Sequence, residues 1–563
     1  MTKKFSNILR LKKFSLYSTL AFFFIVVLSI FLRFNQLGSN PPSINWDETS
    51  IGYNAYSILK TGNDEYGNRL PLSFRSFDDF KPPVYIYLTV PSVALFGLSE
   101  FAVRAPAAFF GTLSVVIFYL LVREVLKNFS FRQREQIALL SAFFMAVSPW
   151  HLQFSRAAYE GNIGLFFLMG AMYAFFVGLR KSYFLLFSSI LFVVGIYSYH
   201  SFRLIIPIFL VVLLVIFWKE LLSKKKSAII STIIFVMFSL PVYSSFVIPN
   251  NTQARLSMVS IFNESDSLKD NLRQLQISRE NNNIIGEIVY NRRAFYFREG
   301  LKGYFDHFTP NFLFVTGAGS FYHHPVNFGM MYLWDLPFLL AGFYLLIRKI
   351  DKKILVMLAL LLLAPLPSSI ATGSPHGVRA IAMIPTLLFA VAFGLYFVTT
   401  KIRAYKNTIF SQFLIFAIFL AFLINFVIYI NQYYVETPRL YGYFWQAGNK
   451  EAILKAKELE ENYDEIIMSY KYDQPHIYYL FYNKFDPKTY QENWSSINQE
   501  NERFNRKIGK YSFQNINMNE LSNRDTNNKT LLIATPDEIT EELESIYIVY
   551  FPDGRVAYKF IEL

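Results

Sequence analysis

"VYIYLTVPSVALFGL", residues 84–98, decides how the chain is threaded. The stretch is apolar enough to enter a bilayer. At about 1.5 Å per helical residue it reaches only about 22 Å, short of a hydrocarbon core of about 30 Å. Pro91 also interrupts it, and an internal proline removes a helical hydrogen bond. Whether it crosses sets the side of every loop that follows.

Longer apolar runs surround it. Spans are expected near 16–34, 102–122, 137–149, 161–179, 183–199, 203–218, 228–247, 331–347, 354–371, 378–398 and 408–430. If 84–98 does not cross, the loops 1–13, 123–136, 180–181, 219–226, 348–353 and 401–406 face the cytoplasm and hold 22 Lys and Arg. The short outer loops 150–160, 199–203 and 373–379 then hold three. If it crosses, the later loops exchange sides and most of the basic residues fall outside. The positive-inside rule selects the first threading, with 84–98 along the outer interface or dipping in as a half-helix.

Composition agrees. Of 563 residues 53% are hydrophobic and only 17% charged, too few charges for a soluble chain of this size. A formal charge of +13 does not signify nucleic acid, because the Lys and Arg sit in short clusters between apolar runs. The absence of Cys removes disulfides, cysteine metal sites and thiol catalysis. The basic start "MTKKFSNILRLKKF" leads into an apolar core too long for a signal peptide, so it reads as an uncleaved first span.

The expected architecture is an all-α polytopic membrane domain of about eleven spans over residues 1–430, with outer loops 36–101 and 248–330. Helical stretches near 265–280 and 286–306 carry aromatics among basic residues and are expected to lie on the membrane surface. Residues 431–563 are expected to form a small extracytoplasmic α/β domain. There "NKEAILKAKELEENYDEIIMSY" reads as helix then strand, "TLLIATP" as a strand, and "SIYIVYFPDGRVAYKFIEL" as a hairpin turning at Asp553-Gly554.

Charge collects at the outer ends of the spans: Asp47 and Glu48 in "INWDETSIGY"; Asp78, Asp79 and Lys81 in "SFDDFKPPVYIYL"; Glu100 and Arg104 in "SEFAVRAP"; Arg156 and Glu160 in "SRAAYEGN"; His200 and Arg203 in "YHSFR"; His376 and Arg379 in "SPHGVRAIAMIP". All seven His fall on that side. Taken singly, each has a plain reading. The arginines suit headgroup anchors, Arg156 and Glu160 a helix pair, and Asp47 an N-cap of the short helix "SIGYNAYSILKTG". Recurrence on every outer loop favours a chemical site.

The order "WDE", "KPP" heading an aromatic-rich helix, and "E-x-x-x-R-x-P" entering the next span resembles the lipid-carrier-dependent glycosyltransferases of the GT-C class. The closest likeness is to family 39-like bacterial relatives of the protein O-mannosyltransferases and aminoarabinose transferases. "SRAAYEGN" and "SPHGVRAIAMIP" continue the resemblance, which spans roughly residues 16–400. Two departures argue against the aminoarabinose branch: Phe80 stands where an acid often precedes the Lys of "KPP", and no basic residue follows "DE".

The resemblance implies a plasma-membrane enzyme that moves a sugar from a polyprenyl-phosphate donor to an acceptor hydroxyl on the outer face, inverting the anomeric centre. By resemblance and position, Asp47 is the expected base. Glu48 would orient the acceptor or hold Asp47, and Glu160 would be a second acid. Lys81, Arg203, His376 and Arg379 would bind the carrier phosphate, supported by Asp79, Arg104, Arg156 and His200. The chemistry requires no cofactor, and the sequence leaves a divalent metal open. The acceptor is a protein, a wall polymer or a glycolipid. A lipid-linked glycan flippase or transporter is a rival reading, as is a ligase or polymerase acting on diphosphate-linked glycans. Transporters place charge near the bilayer midplane, whereas here it gathers at the outer ends.

Overall fold

The computed structural model describes residues 2–77, 79–247, 260–494, 505–518, 521, 528–539 and 543–563; Asp78 lies outside the described residues. The chain packs as two compact units. One comprises Met1–Arg33, Phe109–Ser155 and Tyr159–Tyr429; the other comprises Phe34–Ala108, Arg156–Ala158 and Ile430–Leu563.

The first unit is helical. Among the described residues, the helices long and apolar enough to cross a membrane are seven: Phe14–Phe34, Glu100–Val125, Glu160–Gly178, Lys225–Ser244, Lys352–Ser369, Ile381–Arg403 and Thr408–Leu440. The pair Phe131–Val147 and Pro149–Ser155, bent by 55°, makes an eighth when counted as one broken span. Three further expected spans are helices shorter than a full hydrocarbon core: Phe184–Ser198, His200–Ile216 and Asp335–Arg348 have 15, 17 and 14 residues, or about 22, 26 and 21 Å. Tyr199 separates the first two, at the outer loop 199–203 expected from the sequence. Its extended backbone, φ −156° and ψ 142°, ends one helix and opens the next. The stretch 84–98 is the 14-residue helix Pro83–Phe96 with Pro91 inside it.

Close packing in this unit rests on small residues. A Cβ at Gly342 would collide with the Ala390 carbonyl, and one at Gly394 with that of Phe338, so the helices Asp335–Arg348 and Ile384–Arg403 meet backbone to backbone.

The two kinds of loop separate to opposite ends of the unit. Glu124 pairs with Arg180 and, at 2.7 Å, with Lys353; Glu220 pairs with Lys352 at 2.5 Å. Four of the basic loops therefore meet. The poorly basic loops meet elsewhere: Trp150 donates to Gly377 O at 3.0 Å, Tyr159 to Tyr322 O at 3.1 Å, and Gly161 lies against Tyr199 and Val378. The surface helices are Asp266–Glu280, Ile284–Tyr290 and Arg292–Asp306. Ile284, Ile285, Ile288, Phe297, Leu301 and Phe305 stay exposed on them, the face an interfacial helix turns to lipid.

The second unit holds a hairpin of β1 (Phe74–Ser76) and β2 (Asp79–Lys81) and a six-stranded sheet. The sheet strands are β3 (Glu465–Ser469), β4 (Asn505–Ile508), β5 (Tyr511–Gln514), β6 (Thr530–Ala534), β7 (Tyr547–Tyr550) and β8 (Val556–Glu562), in the order β4-β5-β3-β6-β8-β7. β3 runs parallel to β5 and β6; the remaining pairs are antiparallel. The β7–β8 hairpin turns at Gly554, φ 87°, as expected.

The helix Trp46–Thr61 packs on Pro83–Phe96 and on Pro475–Tyr482. Gly52 makes that approach possible, since a Cβ there would come within 2.6 Å of both Phe481 and Val103.

Candidate functional site

The helix Trp46–Thr61 carries the paired acids, and Asn45, not Asp47, is its N-cap. Asn45 Oδ1 accepts from the Glu48 N–H at 2.9 Å, and Glu48 Oε2 accepts from the Asn45 N–H at 3.3 Å, which closes a capping box. Asp47 is thereby freed from capping.

The two acids have opposite environments. Glu48 is 2% exposed and saturated. Its Oε1 accepts from Arg104 Nε and from the Ala158 N–H, both at 2.9 Å, and its Oε2 accepts from Arg104 Nη2 at 2.9 Å. Arg104 is fully buried and spends its other donors on the carbonyls of Leu37, Pro41 and Ser43. All five guanidinium N–H groups are used. Arg156, also buried, donates to Tyr433 Oη and Asn40 O, each at 3.0 Å. These groups lock the entry to the helix.

Asp47 is open. Its side chain is 54% exposed, and its Oδ1 accepts from Lys81 Nζ at 2.6 Å. Oδ2 has no hydrogen-bond partner among the described residues. Lys81 is only 5% exposed. It ends β2, in register with Phe74, directly before Pro82 and Pro83. Ser76 Oγ on β1 meets Ser50 Oγ of the helix at 3.0 Å, which ties the hairpin to the element bearing Asp47. Asp79 accepts from the Phe80 N–H at 2.7 Å.

The remaining expected residues belong to the first unit. Glu160 and His200 each open a helix and are half-buried. Arg156 and Glu160 are not a helix pair, because one helix ends at Ser155 and the next begins at Glu160. Arg203 is 9% exposed, and its carbonyl accepts from Tyr243 Oη at 2.7 Å. His376 Nδ1 accepts from the Arg379 N–H at 3.3 Å, and Arg379 Nη1 donates to Thr372 O at 2.6 Å.

Two histidines not singled out by motif join this group. His307 Nδ1 lies 2.8 Å from Gly303 O, and its Nε2 accepts from the His376 N–H at 3.0 Å. That assigns the neutral tautomer with the proton on Nδ1. His323 lies 4.4 Å, centroid to centroid, from His376, with Phe154 and Tyr159 around it. Burial, then His324 and Arg379, push His323 down to about 3, and burial above all pushes His307 down to about 4. Their signal, "DHF" and "YHHP", has no local pattern to mark it. Among the described residues no group of three or more His, Asp or Glu is arranged to hold a metal ion.

Residues 80–243 match the dolichyl-phosphate-mannose-protein mannosyltransferase family, a stretch that takes in Lys81, Arg104, Arg156 and Glu160. ArnT from Cupriavidus metallidurans in the apo state superposes with a TM-score of 0.53 at 11% identity, over 97% of this chain and 97% of that one. The fold is that of a GT-C glycosyltransferase. The GT-C resemblance read from the sequence holds, and with it a multi-span membrane protein. ArnT from the same organism bound to undecaprenyl phosphate superposes with a TM-score of 0.52 at 12% identity, over 96% of this chain and 97% of that one. A comparison with curated proteins finds no match.

Proposed function

We propose that this GT-C protein is a membrane glycosyltransferase that moves a sugar from a polyprenyl-phosphate donor to an acceptor hydroxyl on the extracytoplasmic face, with inversion. The observation that carries the reading is the Asp47–Lys81 pair, a solvent-open carboxylate fixed by a buried ammonium at 2.6 Å. ArnT bound to undecaprenyl phosphate supports the lipid-carrier donor, and the basic asymmetry of the loops supports the outward face.

In the proposed step Asp47 Oδ2 takes the acceptor O–H proton as the acceptor oxygen attacks the anomeric carbon. The bond from that carbon to the phosphate oxygen breaks, and polyprenyl phosphate leaves with the electron pair. General base catalysis of this kind contributes about 10²–10⁴-fold. Lys81 serves both ends: it orients Asp47 and offers positive charge to the phosphate. Glu48 is a positioning residue, since its oxygens are consumed by Arg104, Asn45 and Ala158. By the family resemblance alone, Glu160, Arg203, His376 and Arg379, supported by His200, are proposed as further residues that bind donor or acceptor. No step needs a metal.

The test is donor choice. Purified protein is given radiolabelled undecaprenyl-phosphate mannose, undecaprenyl-diphosphate-linked glycan, or a nucleotide sugar. Product from the monophosphate alone is expected. Product from the diphosphate alone would replace this reading with a ligase.

A further inference from the structure

Residues 430–563 lie beyond the stretch that carries the family resemblance, yet they supply hydrogen bonds to the backbone beside Asp47. A helix N-terminus leaves its first N–H groups without intrahelical partners. In Trp46–Thr61, Asn45 Oδ1 takes the Glu48 N–H. The Trp46 N–H, directly before Asp47, goes instead to Gln446 Oε1 at 3.0 Å.

The amide of Gln446 is oriented by its own partners. Its Nε2 donates to Tyr472 O at 2.6 Å, so flipping it would set a donor against the Trp46 donor and an oxygen against a carbonyl. Tyr478 Oη lies 2.7 Å from Gln446 Oε1 and 3.1 Å from Ile44 O, and its one proton serves either acceptor. Gln446 is 5% exposed and Tyr478 fully buried. Gln446 also holds φ 54°, a left-handed conformation that a non-glycine residue keeps only where its surroundings over-determine it. Trp445, beside it, is fully buried with its ring 5.9 Å from the Arg104 guanidinium.

We infer that Gln446 and Tyr478 are positioning residues that clamp the backbone of Ile44 and Trp46 and so fix Asp47 against Lys81. Reaction geometry tolerates little displacement: a misplacement of about 1 Å can cost about 10²-fold. The role in catalysis rests on Asp47 being the base; the clamp itself does not.

The test uses the full-length protein. Gln446→Met keeps the side-chain length without its polar atoms, and Tyr478→Phe removes only the hydroxyl. Amide exchange over residues 44–49 is expected to rise about tenfold in both, while β3, β6 and β8 keep wild-type protection. Turnover of labelled undecaprenyl-phosphate mannose is expected to fall about tenfold with its KM within about twofold. In an Asp47→Asn background, Gln446→Met is expected to have almost no further effect. Unchanged exchange over 44–49 overturns the clamp. So does a loss of protection shared by the strands in both variants, which would mean general destabilisation. An undiminished effect of Gln446→Met on top of Asp47→Asn overturns the positioning of Asp47. If Asp47→Asn alone turns over normally, it is the base reading that fails, and the exchange measurement still decides the clamp.

Discussion

Lys81 is buried while its partner Asp47 is open, and the proposed step gives this one ammonium two jobs. Lys81→Ala is therefore expected to lower both turnover and affinity for undecaprenyl phosphate, each by about tenfold or more, without loss of folded protein. Lys81→Arg is expected to recover only part, because a planar guanidinium does not fit a slot shaped for a point charge. Donor binding and single-turnover transfer check both; unchanged binding would move the phosphate role to the arginines. His323 and His307 make a pH prediction. Both are held neutral, with pKa values lowered to about 3 and about 4, against about 6.5 in an unfolded chain. The unfolded state then binds more protons below about 6.5, so stability is full above that pH and is lost as pH falls toward 4 and then 3. The melting temperature is expected to drop between pH 7 and pH 5, and His323→Phe to flatten the drop; an equal drop in the variant would contradict this. Asp47 and Lys81 were legible because each sits in a short motif. His323 was not, because Phe154, Tyr159 and His376 come to it from distant segments.

At the scale of the element, the helix after "WDE" was legible from its spacing and from Gly62, which caps it at φ 76°. Its start was not. Asn45 and Asp47 are both good caps by type, and only the Asn45–Glu48 capping box decides between them. Asn45→Ala is expected to cost about 1 kcal/mol, read as a lower melting temperature, while Asn45→Asp stays near wild type. Glu48→Ala is expected to cost more, about 3–5 kcal/mol, because it strands the buried Arg104 charge. A Glu48→Ala protein as stable as wild type would return Glu48 to an acceptor-binding role. In the C-terminal region, the β7–β8 hairpin was read from Asp553-Gly554. β4 and β5 were passed over because four-residue strands in a polar stretch carry too short an alternation to register.

For the whole molecule, charge was the most informative signal. The basic loops expected on one side do meet, through Glu124 with Arg180 and Lys353 and through Glu220 with Lys352. Hydropathy found the outer loop at Tyr199 but was less exact at span ends, since the span expected at 331–347 is the helix Asp335–Arg348 and the one expected at 203–218 begins at His200. Reporter fusions after residues 130 and 225 are expected to read cytoplasmic and a fusion at 440 extracytoplasmic; a cytoplasmic reading at 440 would overturn the proposed side of the reaction. The grouping of 34–108 with 430–563 was not visible, because it depends on contacts such as Gly52 with Phe481 between segments far apart in sequence. The most direct measurement is single-turnover transfer from prebound undecaprenyl-phosphate mannose by wild type and Asp47→Asn. Asparagine keeps the shape and removes the base, so the rate is expected to fall about 10²–10⁴-fold with donor affinity within about twofold. A near-wild-type rate for Asp47→Asn would contradict the account.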